Sequence, residues 1–243
     1  MKPFLKRYHL PLFLFVWTLI NFLQSATTVL LNDEAYYWVY SRFLAWGYFD
    51  HPPMIAVLIK AGYSLFNNEF GVRFFIVLLN TFTLLCIYKL LPRPNPKLFY
   101  GLVFSMALLQ LGGFIAVPDI PLIFFTALFF LVYKHFAQKA TWANTILLGV
   151  VMACMLYSKY HAVLIVLFTL LSNVSLFRNY KAYISVLIAA LLFAPHLIWQ
   201  YQHGFPSVQY HLYERNETSY RFSYTWEYIA GQLLLAGPLA GWL

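Results

Sequence analysis

The chain has 243 residues, of which 62% are hydrophobic and only 10% are charged. Soluble domains carry about 25% charged residues, so this composition excludes a cytosolic enzyme, a disordered chain and a disulfide scaffold. The net charge of +8 does not indicate nucleic-acid binding, because the basic residues are scattered between apolar runs. We predict an all-α, polytopic transmembrane helical bundle that is embedded in the lipid bilayer.

Eight apolar segments are candidate membrane spans, each of which needs about 20 residues. The first, Tyr8–Asn32, is interpreted as an uncleaved signal anchor, with a cleaved signal peptide as the alternative. The run Met54–Phe66 is too short to span and is predicted to be an interfacial or re-entrant helix. The other predicted spans are Phe74–Tyr88, Leu98–Val117, Pro121–Tyr133, Ala143–Ser158, Ala162–Phe177, Ala182–Trp199 and Tyr228–Leu243.

Charged residues divide between the two sides of this topology. If the N-terminus is cytoplasmic, most of the basic residues lie on the inner side, so the positive-inside rule orients the chain in the inner membrane with its outer loops in the periplasm. All eight acidic residues then lie on the outer side. The placement of the acids on one side has two possible explanations. Either the inner loops select Lys and Arg, so that acids occur elsewhere, or the outer face holds an acidic reaction centre. The inner basic residues are Lys2, Lys6, Arg7, Lys89, Arg93, Lys97, Lys134, Lys139, Arg178 and Lys181.

The first outer loop carries aromatic residues and two adjacent acids, Asp33 and Glu34. No Pro or Gly interrupts the sequence from Asp33 to Ala45, so we predict a short helix in the headgroup layer, where tyrosines and tryptophans are favoured. The two acids either stabilise the first turn of this helix or belong to a catalytic site. Tyr36 and Tyr37 are candidate substrate-binding residues.

Asp50 and His51 precede a proline pair. Asp50 could cap the next helix and His51 could be an ordinary loop residue. Alternatively, both face Asp33 in one site. Asp with His suits a divalent metal ion, although two residues do not complete a coordination shell.

Two further outer positions stand out. Asp119 lies between Pro118 and Pro121, where it is either a turn residue or a costly carboxylate near the hydrocarbon that needs a partner. Lys159 lies between two apolar runs, where it either snorkels or binds an anion, which could be an acid or a phosphate. Motifs for soluble nucleotide chemistry are absent from the sequence.

Five segments, in order along nearly the whole chain, resemble bacterial members of the dolichyl-phosphate-mannose protein mannosyltransferase family. Relatives in that family include the aminoarabinose transferase that modifies lipid A, and they belong to the C-type glycosyltransferase superfamily. The segments are LNDEAYYW, GYFDHPPM, VPDIPLIFF, LLGVVMACMLYSKYHAVL and APHLIWQYQHGFPS.

The resemblance implies transfer of a sugar from a polyprenyl-phosphate donor to an acceptor hydroxyl of a lipid, glycan or protein, with inversion, on the extracytoplasmic face. Asp33 matches the first member of the family's catalytic acid pair, with Glu34 beside it, and Asp119 matches an acidic position in the second outer loop. Lys159 matches a basic position that contacts the lipid phosphate in aminoarabinose transferases. His51 replaces a lysine of that subgroup and, like Lys159, is a candidate substrate-binding residue.

His211 matches a metal-ligand histidine of the same subgroup, so the resemblance allows a divalent metal ion held by Asp50 and His211. Family members are roughly twice as long. We therefore expect residues 1–243 to form one transmembrane glycosyltransferase domain, the N-terminal part of a longer enzyme.

A phosphate leaving group needs no protonation, so the chemistry requires only one general base, for which Asp33 is the candidate. Lys159, alone or with a divalent ion, would stabilise charge on the phosphate. A polytopic transporter or lipid flippase is the alternative, although such proteins usually place charge at mid-span and contain repeats. An inactive, truncated transferase is the third hypothesis.

Overall fold

A computed structural model describes residues 2–92, 95–106, 112–214 and 220–240, with side chains from residue 8 to residue 233 of these ranges. All the regular secondary structure in them is helical, which confirms the predicted fold class. The helices are α1 (Lys2–Thr27), α2 (Asn32–Arg42), α3 (Met54–Leu65), α4 (Glu69–Leu90), α5 (Pro96–Ser105), α6 (Asp119–Gln138), α7 (Trp142–Ser158), α8 (Ala162–Ser172), α9 (Tyr180–Gln202), α10 (Pro206–Leu212) and α11 (Phe222–Ala240).

Four helices of the described ranges are long and apolar enough to cross a membrane, fewer than the eight spans predicted. Hydropathy counts apolar residues whether or not the backbone stays helical, and this explains the difference. The predicted span Ala162–Phe177 is helical only to Ser172 and continues as a 3-10 turn. The four long helices are Tyr8–Thr27, Glu69–Leu90, Asp119–Gln138 and Tyr180–Gln202.

Two other predicted spans extend beyond the described residues. In the predicted span Leu98–Val117, α5 ends at Ser105 and residues 107–111 are outside the described ranges. Helix α11 covers most of Tyr228–Leu243, but the last three residues are likewise outside.

The two short helices predicted for the first outer loop are confirmed as α2 and α3. Helix α1 ends at Thr27, five residues before the predicted end of the first span, and an extended segment leads to α2. The Glu34 carboxylate accepts the backbone N–H of Leu31 at 2.9 Å, so an acid in the first turn helps to start α2.

Two apolar clusters bring the helices together. One joins α6, α7 and α9 through residues such as Phe129, Met152 and Ala189. The other packs Tyr37 of α2 against Ile55, Ile76 and Ala116, and so places α2, α3 and α4 beside the segment that leads into α6. The second cluster holds the beginnings of α2 and α6, each of which carries a candidate acid, at the same end of the bundle.

Helices α7 and α9 approach closely at Gly149. A Cβ atom at this position would lie 2.7 Å from the Ser185 carbonyl oxygen of α9 and equally close to Ile188 Cβ. We expect Gly149→Ala to lower the free energy of unfolding by about 1–3 kcal/mol, because backbone atoms cannot move aside cheaply. Unfolding in mixed micelles measures this change.

The matched control is Gly231→Ala, also within a helix, where an added Cβ has nothing within 4 Å. It should leave stability unchanged or raise it slightly, since alanine favours helix. Equal effects of the two substitutions would contradict the close approach of α7 and α9.

Candidate active site

The candidate site lies at one end of the bundle, where α1, α7 and α9 end and α2, α4 and α6 begin. Most of the candidate residues are at or next to these helix ends: Asp33 in the first turn of α2, Asp119 at the start of α6 and Lys159 directly after α7. Helix ends leave backbone groups unpaired and place side chains at the bilayer boundary, which suits polar chemistry.

Asp119 and Lys159 form an ion pair. Lys159 Nζ donates to Asp119 Oδ1 at 2.7 Å, and the two side chains are 22% and 52% exposed, in that order. The sequence predicted that Asp119 needs a partner and that Lys159 could bind an anion. In this structure the two residues are partners of each other. An ammonium group has three protons, so Lys159 can keep Asp119 and still bind a second anion.

The charges of three carboxylates act on the Tyr37 side chain. Burial raises the pKa of Tyr37 well above its ordinary value, and the negative charges of Asp50, Asp33 and Asp119 raise it further. The three predicted acids therefore share one electrostatic neighbourhood. The Asp33 side chain is exposed, and no hydrogen bond within the described ranges engages its carboxylate.

Asp50 is the most enclosed of the three aspartates. Its Oδ1 accepts hydrogen bonds from Tyr40 at 3.1 Å and from Tyr36 at 3.3 Å, and His51 Nδ1 lies 2.8 Å from Oδ2. Burial alone would raise the pKa of Asp50, but the contacts with His51 and Tyr40 outweigh it and lower that pKa below its usual value. Asp50 is therefore ionised at neutral pH.

Tyr36 lies on the exposed side of α2, and its hydroxyl also contacts that of Tyr40. Tyr37 is buried, and its ring lies 5.6 Å from that of His51. Of the two predicted substrate-binding tyrosines, Tyr36 is therefore accessible, whereas Tyr37 packs beneath the site.

The chain's later helices close the site over the first outer loop. His196 Nδ1 donates to the Trp46 carbonyl at 2.7 Å, which leaves Nε2 to accept from the Tyr160 hydroxyl at 2.9 Å. Ser207 Oγ donates to the Tyr48 carbonyl at 2.8 Å. These bonds join residues up to 159 positions apart in sequence and hold the loop against α9 and α10.

His211 belongs to the same layer. Its Nε2 donates to the backbone carbonyl of Asp50 at 2.9 Å, and its ring lies 6.2 Å from that of His51. Within the ranges that the structure describes, no three His, Cys, Asp or Glu side chains are grouped as metal ligands. His211 Nε2 binds a carbonyl and the Asp50 carboxylate binds its neighbours, so the metal site that the resemblance allows at Asp50 and His211 stays a prediction.

A cavity of about 690 Å³ has Tyr160, the residue after Lys159, in its wall. Its walls come from the start of α8 and from α10, and most of their exposed surface is apolar. A long apolar group could therefore lie here with a polar end at Lys159. The lining residues are Tyr160, His161, Val163, Leu164, Ser207, Val208, His211 and Leu212.

Sequence reasoning missed Arg73, which pairs with Glu34 inside the protein. Glu34 is fully buried, in contrast to its exposed neighbour Asp33. The sequence did contain a signal for this pair. Arg73 lies at the edge of an apolar span, where a basic residue is costly without an acidic partner.

Comparison with known proteins identifies the family. The profile of the family described as dolichyl-phosphate-mannose-protein mannosyltransferase matches residues 50–199, which is more than half of the chain. Lipid A galacturonosyltransferase RgtD of Rhizobium johnstonii is 25% identical over 236 residues, which cover 92% of this chain and 50% of RgtD. An uncharacterized protein of Aquifex aeolicus is 34% identical over 97 residues, 37% of this chain and 19% of that protein.

The chain thus spans about half the length of RgtD, and its match covers a smaller share of the Aquifex protein. No solved structure matches it. The family profile covers Asp50, Asp119 and Lys159, and its match begins after Asp33. On the profile match, the chain is a multi-pass membrane protein of the dolichyl-phosphate-mannose-protein mannosyltransferase family.

Proposed function

We propose that this protein is a membrane glycosyltransferase that moves a sugar from a polyprenyl-phosphate donor to an acceptor hydroxyl on the extracytoplasmic face. The observation that carries the proposal is that the charges of Asp33, Asp50 and Asp119 all act on Tyr37, while Lys159, which binds Asp119, directly precedes Tyr160 in the wall of an apolar cavity. Family membership and the likeness to RgtD support sugar transfer, and the lysines and arginines on the opposite side of the predicted topology support the outer face.

Asp33 is the general base in this proposal. The surrounding tyrosines are poor bases because burial raises their pKa values, that of Tyr160 to about 12, so they stay protonated at neutral pH. Among the aspartates, Asp50 is enclosed and Asp119 is paired, whereas Asp33 is exposed. A carboxylate that is free to approach the acceptor hydroxyl suits proton removal.

The reaction is a single displacement that inverts the anomeric carbon. The acceptor oxygen forms a bond to that carbon and gives its proton to Asp33, while the bond from the carbon to the phosphate oxygen breaks. The electron pair of that bond leaves with the polyprenyl phosphate, whose growing charge is stabilised by the Lys159 ammonium. No step of this displacement requires a metal ion.

Donor and acceptor would approach from different sides of Lys159. The polyprenyl chain would lie in the apolar cavity of α8 and α10, with its phosphate at Lys159. For the acceptor, lipid A is the first candidate to test, because RgtD is named for transfer to lipid A. Tyr36, exposed on α2, is the candidate sugar contact.

A donor-cleavage assay tests this function against its alternatives. We expect purified protein in liposomes to release radiolabelled sugar from a polyprenyl-phosphate sugar and to attach it to added lipid A, since the side chains supply both a base and a phosphate contact. Thin-layer separation of donor and product measures both events.

A flippase or transporter would move the intact donor to the opposite leaflet without breaking its bond, and an inactive transferase would do neither. The control is the same liposome without protein. Donor that remains intact with every sugar and acceptor supplied would contradict the proposed transferase.

A further inference from the structure

A buried ion pair joins α2, which carries Asp33, to α4. Glu34 of α2 and Arg73 of α4 are 0% and 1% exposed. Arg73 Nε donates to Glu34 Oε1 at 2.7 Å, and Nη2 donates to Oε2 at 2.5 Å. This two-bond geometry fixes the orientation of both groups.

The remaining donors of Arg73 bind the end of α1. Nη1 donates to the carbonyl and the hydroxyl of Thr28, both at 2.8 Å, and Nη2 donates to the carbonyl of Val29 at 2.8 Å. Carbonyls at the end of a helix lack partners within it and attract positive charge. With two bonds to Glu34, all five guanidinium protons are used.

The remaining bonds of Glu34 hold two backbone segments. Oε2 accepts the N–H of Leu31, directly before α2, and Oε1 accepts the N–H of Ala116, both at 2.9 Å. Ala116 is three residues before Asp119, and Glu34 directly follows Asp33. One carboxylate therefore connects the backbone that carries Asp33 to the backbone that carries Asp119.

Stability alone is a weak reason to bury such a pair, because apolar residues of similar volume often replace buried ion pairs without loss of stability. We propose that the Glu34–Arg73 ion pair is a positioning device, which fixes Asp33 relative to Asp119 and its partner Lys159. This inference rests on the proposed function. Glu34 is then a positioning residue rather than the catalytic carboxylate predicted from its place beside Asp33, since both of its oxygens bind structural partners.

The first test keeps the positive charge at position 73 and removes the two-bond contact with Glu34. Lysine has three donors in place of five, so Arg73→Lys should loosen α2 and the segment before α6. We expect kcat for sugar transfer to fall about 100-fold, as misplacement of about 1 Å can do, with the KM for donor unchanged because Lys159 and the cavity are intact. Arg42→Lys, at an exposed arginine that ends α2, is the matched control and should leave kcat unchanged.

A second variant separates positioning from folding. The double substitution Glu34→Leu with Arg73→Met removes both charges and keeps an apolar filling, so no unpaired charge is left buried and the protein should still fold, with a melting temperature lowered only by the lost backbone hydrogen bonds. It still leaves the Leu31 and Ala116 amides without their acceptor. We expect its kcat, per folded molecule, to stay about 100-fold low.

Hydrogen exchange provides a readout that does not depend on activity. In nanodiscs, peptides that cover residues 29–35 and 113–120 should exchange faster in both variants than in the wild type, while peptides from α9 should not change. If the wild type transfers no sugar, the proposed function fails, and exchange still tests the connection between the two segments. A wild-type kcat in the double variant, or unchanged exchange in both peptides, would overturn the positioning role.

Discussion

Asp33→Asn is expected to lower kcat for sugar transfer by about 10²–10⁴-fold, the usual contribution of a positioned general base. Asparagine has nearly the same shape but cannot take the proton of the acceptor hydroxyl. The KM for donor should not change, because the phosphate and the lipid are bound elsewhere. Initial rates with radiolabelled donor, measured per folded molecule in detergent, give both constants.

The fold should tolerate Asp33→Asn, because the Asp33 side chain is exposed and no hydrogen bond within the described ranges engages it. Glu69→Gln is the matched control, since Glu69 is also an exposed acid in the first turn of a helix at the same end of the bundle. It should transfer sugar at the wild-type rate. If both variants were equally active, Asp33 would not be the base.

Lys159→Met should lower kcat/KM for the donor by about 10²–10³-fold, the loss typical when one donor to a developing negative charge is removed. Methionine keeps most of the apolar stem, so only the ammonium is lost. Asp119 loses its partner but is 52% exposed, so water can solvate it and the fold should survive. Steady-state kinetics over a range of donor concentrations measure the effect.

Lys139→Met is the control for Lys159→Met, because Lys139 is an exposed lysine that follows α6 at the opposite end from Asp119. We expect no change in its kinetics. A Lys159→Met enzyme with a normal kcat/KM would remove the phosphate contact from the mechanism and leave Lys159 as a structural partner of Asp119.

The sequence predicted the helical class, the two short outer helices and the shared neighbourhood of three aspartates, because these follow from hydropathy, from turn residues and from topology. Without the family resemblance, which selects Asp33 as the base, the pattern of residues could not separate Asp33 from Glu34. Adjacent residues in a helix point about 100° apart, so one can be exposed while the next is buried, and only the packing of α2 decides which.

Arg73 and the number of spans were missed for a related reason. The apolar run of α4 was predicted to begin at Phe74, so Arg73 lay outside every predicted span and its need for an acidic partner was overlooked. The predicted span from Ala162 is interrupted at Asn173, where hydropathy alone registers no break in the helix. Both depend on contacts that are distant in sequence.

The bonds from His196, Ser207 and His211 to the first outer loop have a consequence for biosynthesis. A ribosome adds about 5–20 residues per second, so a loop that has already crossed the membrane waits on the order of ten seconds for the partners that complete it. During that interval the nascent chain contains Asp33 but not the residues of α9 and α10 that bind its loop. The packing of this loop seen in the structure is therefore complete only after residue 211 has been translated.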